Sequence, residues 1–286
     1  MTRSLHGTAE RACRQAGFTL AEMIIVIVIL GAISAAASIF ITAPVDAYLD
    51  VSRRAHLSDV ADTALRRISR DLQRAAPNSV RISGACTGAA ACYVEYVPVV
   101  AGGRYRAELD DAGAGDLLDF ADNTDTSFDA IGPPIALPAP PLWLVVYNLG
   151  IPGADLYSGA GGATDVRRSG ASVAGNTVSF TSITALPFES PFRRFHIVSA
   201  PVTYACLPSV AGGTLTRHSG YAFAPAQPAP PGGTPSLLAN QVTACSFSYS
   251  TLEVARSAGL ISMSIQITHQ AETISLFQQA HVSNVP

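Results

Sequence analysis

The sequence predicts an α+β chain in which a long N-terminal helix packs on an antiparallel, β-rich domain. Three observations carry that expectation. A charge-free apolar block stands near the N-terminus, a stripe of apolar residues at three- and four-residue spacing follows it, and beyond Val80 the periodicity becomes that of strands. The bulk composition agrees: of 286 residues, 48% are hydrophobic and 14% charged, enough apolar material for a folded domain and a membrane segment. The formal net charge is −3, so no basic excess marks a nucleic-acid surface. All 18 basic residues are Arg, which excludes Lys-dependent P-loop and Schiff-base chemistry.

The apolar block covers residues 24–43 without a charge, and Ser34, Ser38 and Thr42 are its only polar side chains. As a helix it spans about 30 Å, the thickness of a bilayer core. Arg3, Arg11 and Arg14 precede it against one acid, Glu10, whereas Asp46 and Asp50 follow it. That bias holds the N-terminus in the cytoplasm and exports the rest. A secretory signal peptide shares the basic start and the apolar run, and Ala35-Ala36-Ala37 imitates its cleavage site. Two details oppose that reading. The run is longer than a usual signal core, and a carboxylate, Glu22, stands at its entrance, where an ionisable group signals function by default.

The string Gly17-Phe18-Thr19-Leu20-Ala21-Glu22, followed by the apolar run to Gly31, resembles the class III signal of type IV pilins and type II secretion pseudopilins. The resemblance implies a leader, residues 1–17, removed by a prepilin peptidase that cuts between Gly17 and Phe18 and N-methylates Phe18. Ala21 departs from the Val or Ile often found there in the family. The resemblance further implies that Glu22 directs assembly, its carboxylate meeting the Phe18 amine of a neighbouring subunit in the filament core. Residues 18–43 are then the transmembrane and filament-core half of the helix.

Residues 44–76 continue the helix with a different character. Leu57, Ala61, Leu65, Ile68, Leu72 and Ala75 form one apolar stripe, and Asp62 with Arg66 and Arg67 with Asp71 make i,i+4 pairs on the opposite face. Arg66, Arg67, Arg70 and Arg74 read as a solvated face. Pro77-Asn78 stops the helix, so residues 18–76 make one element of about 90 Å, with a bend allowed at Pro44. Residues 77–286 are expected to form a globular β-rich head, periplasmic by the resemblance. Residues 92–100, 142–147, 177–183 and 195–198 read as strands. Ile261, Met263, Ile265 and Ile267 alternate with polar residues in a half-buried strand, with residues 272–282 as its antiparallel partner. Pro-rich connections cover 133–141 and 224–235, and a Gly-rich loop covers 150–175. The exported part reads as one α+β domain, with the stripe covering one face of an antiparallel sheet.

With Cys13 lost in the leader, Cys86, Cys92, Cys206 and Cys245 remain, an even number suited to an oxidising compartment. Three connectivities exist, and proximity favours Cys86 with Cys92 and Cys206 with Cys245. The spacings lack a paired CxxC for a metal. HExxH, GxSxG and a complete GxGxxG are missing, so the chain reads as non-catalytic. Asp119, Asp122 and Asp125 are candidate calcium ligands, although they stand three apart and lack the glycine of an EF-hand loop. No other cofactor is expected.

Within the superfamily, residues 64–81 and 279–286 resemble the MshO family of minor pilins from the mannose-sensitive haemagglutinin (MSHA) pilus. That resemblance implies a minor pilin that initiates or assembles a pilus from the inner membrane. Its partners would be other major and minor pilins, the prepilin peptidase, the assembly platform and membrane lipid. A type II secretion minor pseudopilin and a pilus-tip adhesin or ligand-binding head are the alternatives.

Overall fold

The computed structural model describes residues 17–159, 162–181, 184–251, 258–270 and 272–286. Residues 1–16 of the leader read from the sequence, Cys13 and the basic side chains Arg3, Arg11 and Arg14 among them, lie outside the described residues. The chain divides into two units, one up to Ser52 and one from Arg53. Helix α1 (Leu20–Leu72) contributes to both.

In the second unit, the stripe read from the sequence is the buried face of α1. Leu57, Ala61, Leu65, Ile68 and Leu72 are no more than 5% exposed and join a core with the inward residues of the first sheet. Burying each large aliphatic side chain is worth about 1.5–3 kcal/mol. The exposed Arg66–Asp62 pair, at 2.6 Å, is worth about 0.3–0.5 kcal/mol. The apolar stripe therefore holds the helix in place. Asp71 corrects the expected i,i+4 pattern. Instead of meeting Arg67, its carboxylate accepts hydrogen bonds from Tyr96 at 3.1 Å and Tyr204 at 2.5 Å and faces Arg217 at 3.5 Å.

The helix ends at Leu72 rather than at Ala76, because the next residues find sheet partners. The Ala76 N–H donates to the Val97 carbonyl at 2.8 Å, and the Val99 N–H donates to the Arg74 carbonyl at 2.9 Å. Pro98 sits between those two bonds and splits the run expected as one strand into β2 (Cys92–Tyr96) and β3 (Val99–Tyr105).

The β-rich part is two antiparallel sheets, and the stripe covers the first of them, as expected. The first runs in the order β1 (Arg81–Gly84), β2, β10 (Val202–Leu207), β11 (Gly213–Ser219), β12 (Thr234–Thr251), β13 (Ala258–His269), β14 (Glu272–Ser283). The second runs β6 (Arg167–Ser169), β5 (Trp143–Val145), β9 (Arg194–Val198), β3, β4 (Ser127–Ile131), β8 (Thr177–Ser179), β7 (Ser172–Ala174). The chain passes between sheets at Val97-Pro98 and at Ser199-Ala200-Pro201, and a small core containing Val97 and Val198 lies at those crossings. The second sheet has its own aromatic core, in which Phe128 meets Phe195 edge-on at 5.0 Å. Two strands, β6 and β7, occupy the stretch read as a Gly-rich loop. Gly170, at φ +68, supplies the left-handed turn between them that other residues avoid.

Strand β12 is long enough to run past the start of β11. In that overhang Cys245 meets Cys206 of β10 in a disulfide, and the Cys245 N–H donates to the Gly88 carbonyl at 2.9 Å. Gly88 lies in the loop closed by the Cys86–Cys92 disulfide. The two bridges thus brace the same end of the first sheet. Gly213 opens β11 there, and a Cβ at that position would collide with the Leu207 and Val242 carbonyl oxygens.

Two measurements test this arrangement. Loop-closure entropy predicts that removing the Cys206–Cys245 bridge, sequence separation 39, costs more than removing the Cys86–Cys92 bridge, separation 6. Urea unfolding of C206S/C245S should show a loss of about 4 kcal/mol, against about 2 kcal/mol for C86S/C92S. The second concerns His196 on β9, whose pKa is pushed down to about 4, first by burial and then by Arg194. Between that value and the ordinary 6.5 the unfolded chain binds a proton that the folded chain does not. Stability is therefore complete above the unfolded value and falls as pH drops toward the folded one. His196→Gln should remove about 2 kcal/mol of the loss seen between neutral pH and about pH 4.5; identical losses in both proteins would refute the assignment.

Candidate functional site

The first unit carries the sequence motif. Gly17, Phe18 and Thr19 precede the helix, which starts at Leu20. Thr19 Oγ1 accepts a hydrogen bond from the Glu22 N–H at 3.3 Å, and the Thr19 carbonyl accepts one from Met23 at 3.2 Å. Thr19 is the N-cap, and Thr-x-x-Glu is the spacing of a capping box. Sequence reasoning passed over Thr19 as a structural residue, although that spacing was the signal available. The cap sets the register in which Glu22 occupies the first turn, where the positive end of the helix dipole favours a carboxylate. Phe18 is 77% exposed, and Glu22 is exposed with no hydrogen bond or ion pair to its carboxylate among the described residues.

The helix beyond is apolar on every side. Its most apolar stretch has a mean hydropathy of 2.9, and none of it is buried within the chain. Every residue from Phe18 to Leu30 is exposed. With about 1.5–3 kcal/mol at stake for each Val, Ile or Leu, water is not its solvent, and lipid or neighbouring helices must cover it. The Thr42 hydroxyl donates to the Ser38 carbonyl at 2.9 Å, which removes one polar group from that apolar surface. Pro44 lies inside α1 and lacks the N–H that a helical residue would supply.

The other sequence-derived residues fall elsewhere. Cys86 pairs with Cys92 and Cys206 with Cys245, all in the second unit. Asp119, Asp122 and Asp125 do not converge as cation ligands. Asp119 accepts from Ala121 at 2.7 Å, Asp122 from Thr124 at 2.7 Å, and Asp125 from Asp119 and Ser127 at 2.7 and 3.1 Å. Their oxygens shape successive turns, and among the described residues no group of three His, Cys, Asp or Glu side chains is placed to hold a metal.

Comparison with known proteins bears on the first unit. No curated protein and no solved structure matches the chain. Residues 13–38 match the family profile of the prokaryotic N-terminal methylation motif, which supports a type IV pilin-like or pseudopilin-like protein, a structural class rather than a catalytic one.

Proposed function

We propose that the chain is a minor pilin that takes part in initiating or assembling a type IV pilus of the MSHA kind. The observation that carries the reading is a carboxylate without a partner among the described residues, Glu22, at the start of a helix that is apolar all round, within the methylation motif and four residues after Phe18. Cleavage between Gly17 and Phe18 creates a cationic amine there. In a bundle of staggered helices the amine of one subunit and the Glu22 carboxylate of the next neutralise each other, which removes the penalty either charge carries alone in an apolar core. The helix first anchors the subunit in the inner membrane and then leaves it for the filament core. Among the described residues nothing stands within 4 Å of a Cβ at Gly17, so their packing places no demand for glycine there, and in this reading the demand comes from the peptidase that cuts beside it.

In this reading residues 1–17 are the leader, 18–43 the membrane and filament-core segment, 44–76 the amphipathic half and 77–286 the exported head. The major and minor pilins, the prepilin peptidase and the assembly platform are its partners. Placement in the MSHA branch rests on the resemblance of residues 64–81 and 279–286 to its MshO minor pilins. The alternative, a type II secretion minor pseudopilin, shares every step of the processing.

Expression with and without prepilin peptidase, followed by intact-mass analysis of the N-terminus, tests the processing. A mature chain that begins at methylated Phe18 is expected; cleavage near Ala37 would return the segment to an ordinary signal peptide. Glu22→Val should be cleaved normally yet enter filaments more than about tenfold less, because breaking a buried ion pair costs about 3–5 kcal/mol. Filament incorporation at the wild-type level would remove Glu22 from assembly.

A further inference from the structure

We propose that the arginine face at the end of α1 docks the acidic β3–β4 connection of a second copy of this chain. The face consists of Arg67, Arg70 and Arg74. All three are exposed, and none has a carboxylate partner among the described residues. They line a cleft of about 380 Å³, and Arg74 and Asp71 also line an adjoining cleft of about 640 Å³ that contains Arg217. Arg217 Nε is buried without a hydrogen-bond partner, 3.5 Å from the Asp71 carboxylate. Asp71 is already engaged by Tyr96 and Tyr204. Asp71 is therefore the one acid lining these two clefts, against four arginines, in a chain whose formal charge is −3.

The complementary surface belongs to the same chain. Between β3 and β4, Asp110, Asp111, Asp119 and Asp122 are exposed. Hydrogen bonds from Ala112 and Ala114 to Asp110, and from Thr124 to Asp122, hold the connection in shape while leaving it acidic. No ion pair neutralises these four carboxylates among the described residues, and none joins them to Arg67, Arg70 or Arg74. Two unneutralised surfaces of opposite sign on one molecule attract between copies, and Arg presents a planar fork suited to carboxylates. Because the surfaces differ, the contact is heterologous and repeats with one polarity, as subunits in a filament require. Only that setting rests on the pilin reading; the contact itself does not.

The test uses the full chain in neutral detergent micelles, with association followed by sedimentation velocity at about 25 mM and about 500 mM NaCl. Wild-type copies should associate at low salt and separate at high salt. R67E/R70E/R74E and D111R/D122R should each weaken association on the order of tenfold, and mixing the two variants should restore it. Circular dichroism melts confirm that both remain folded. Wild-type copies that stay apart at low salt, reversals without effect, or a mixture that fails to recover would each overturn the proposal. So would an arginine face that binds phosphatidylglycerol vesicles or inorganic phosphate while the copies remain separate. Failure here leaves cleavage at Gly17 untouched, because the mass measurement reads that step independently.

Discussion

One helix has to satisfy two surroundings, and the rest of the structure depends on that constraint. Through residues 24–43, α1 is apolar on every side and leaves its cover to lipid or neighbouring helices. From Leu57 onward only a stripe is apolar, and the chain provides the cover itself in the first sheet. The change is written in charge. Asp46, Asp50, Arg53 and Arg54 end the neutral run, and the second unit begins among them. There Arg54 pairs with Glu272 at 3.2 Å and Arg53 donates to Gln270 at 2.8 Å, so the helix meets the β13–β14 turn as soon as its surface becomes polar.

The other end of α1 is fixed by polar groups rather than by more apolar area. Asp71 gathers tyrosines from β2 and β10, both held mostly away from water, and burial keeps both phenols protonated far above their ordinary range. Just beyond, Asn148 donates to the Pro77 carbonyl at 2.6 Å and accepts from Leu156 at 2.9 Å. The Asn78 N–H donates to the side chain of Asn284, near the C-terminus, at 3.2 Å. Leaving any of these buried groups without a partner costs about 1–3 kcal/mol. The exit from the helix, a loop of the second sheet and the end of the chain are thereby held to one arrangement.

How much of this was legible in the sequence follows the range over which each signal acts. Gly17, Phe18 and Glu22 form a contiguous motif, so they could be singled out with no knowledge of the head. The stripe and the Ile261-to-Ile267 alternation were equally readable, since each reports a single surface facing a single core. The division of the strands between two sheets was not, although residues 142–147, 177–183 and 195–198 read as strands and β5, β8 and β9 of the second sheet fall there. β2 is buried at all five positions, which erases alternation, and one proline moves the chain from one sheet to the other. Asp71 shows the limit most directly. Local spacing offered it Arg67, and two phenols from distant strands took it instead, because hydrogen bonds sheltered from water outweigh an ion pair on an exposed face.

The absence of lysine, first met as an exclusion of chemistry, has a structural counterpart in the head. Arg168 is fully buried and donates from its two terminal nitrogens to four main-chain carbonyls, those of Asp165, Arg167, Thr184 and Ala185, while its Nε has no acceptor among the described residues. Arg81 pairs with the buried Glu95, donates to the Ala224 and Pro225 carbonyls, and lies 3.6 Å over the Tyr157 ring. Arg167 stacks 3.7 Å over Phe223, and burial lowers its pKa to about 10. Arg168 and Arg81 use the multiply donating guanidinium, and Arg167 uses its flat face, in ways that a compact ammonium on a flexible stem cannot reproduce. These side chains tie the loops around residues 165, 185 and 224 to the sheets. Where charge is buried in this domain, its geometry matters as much as its sign.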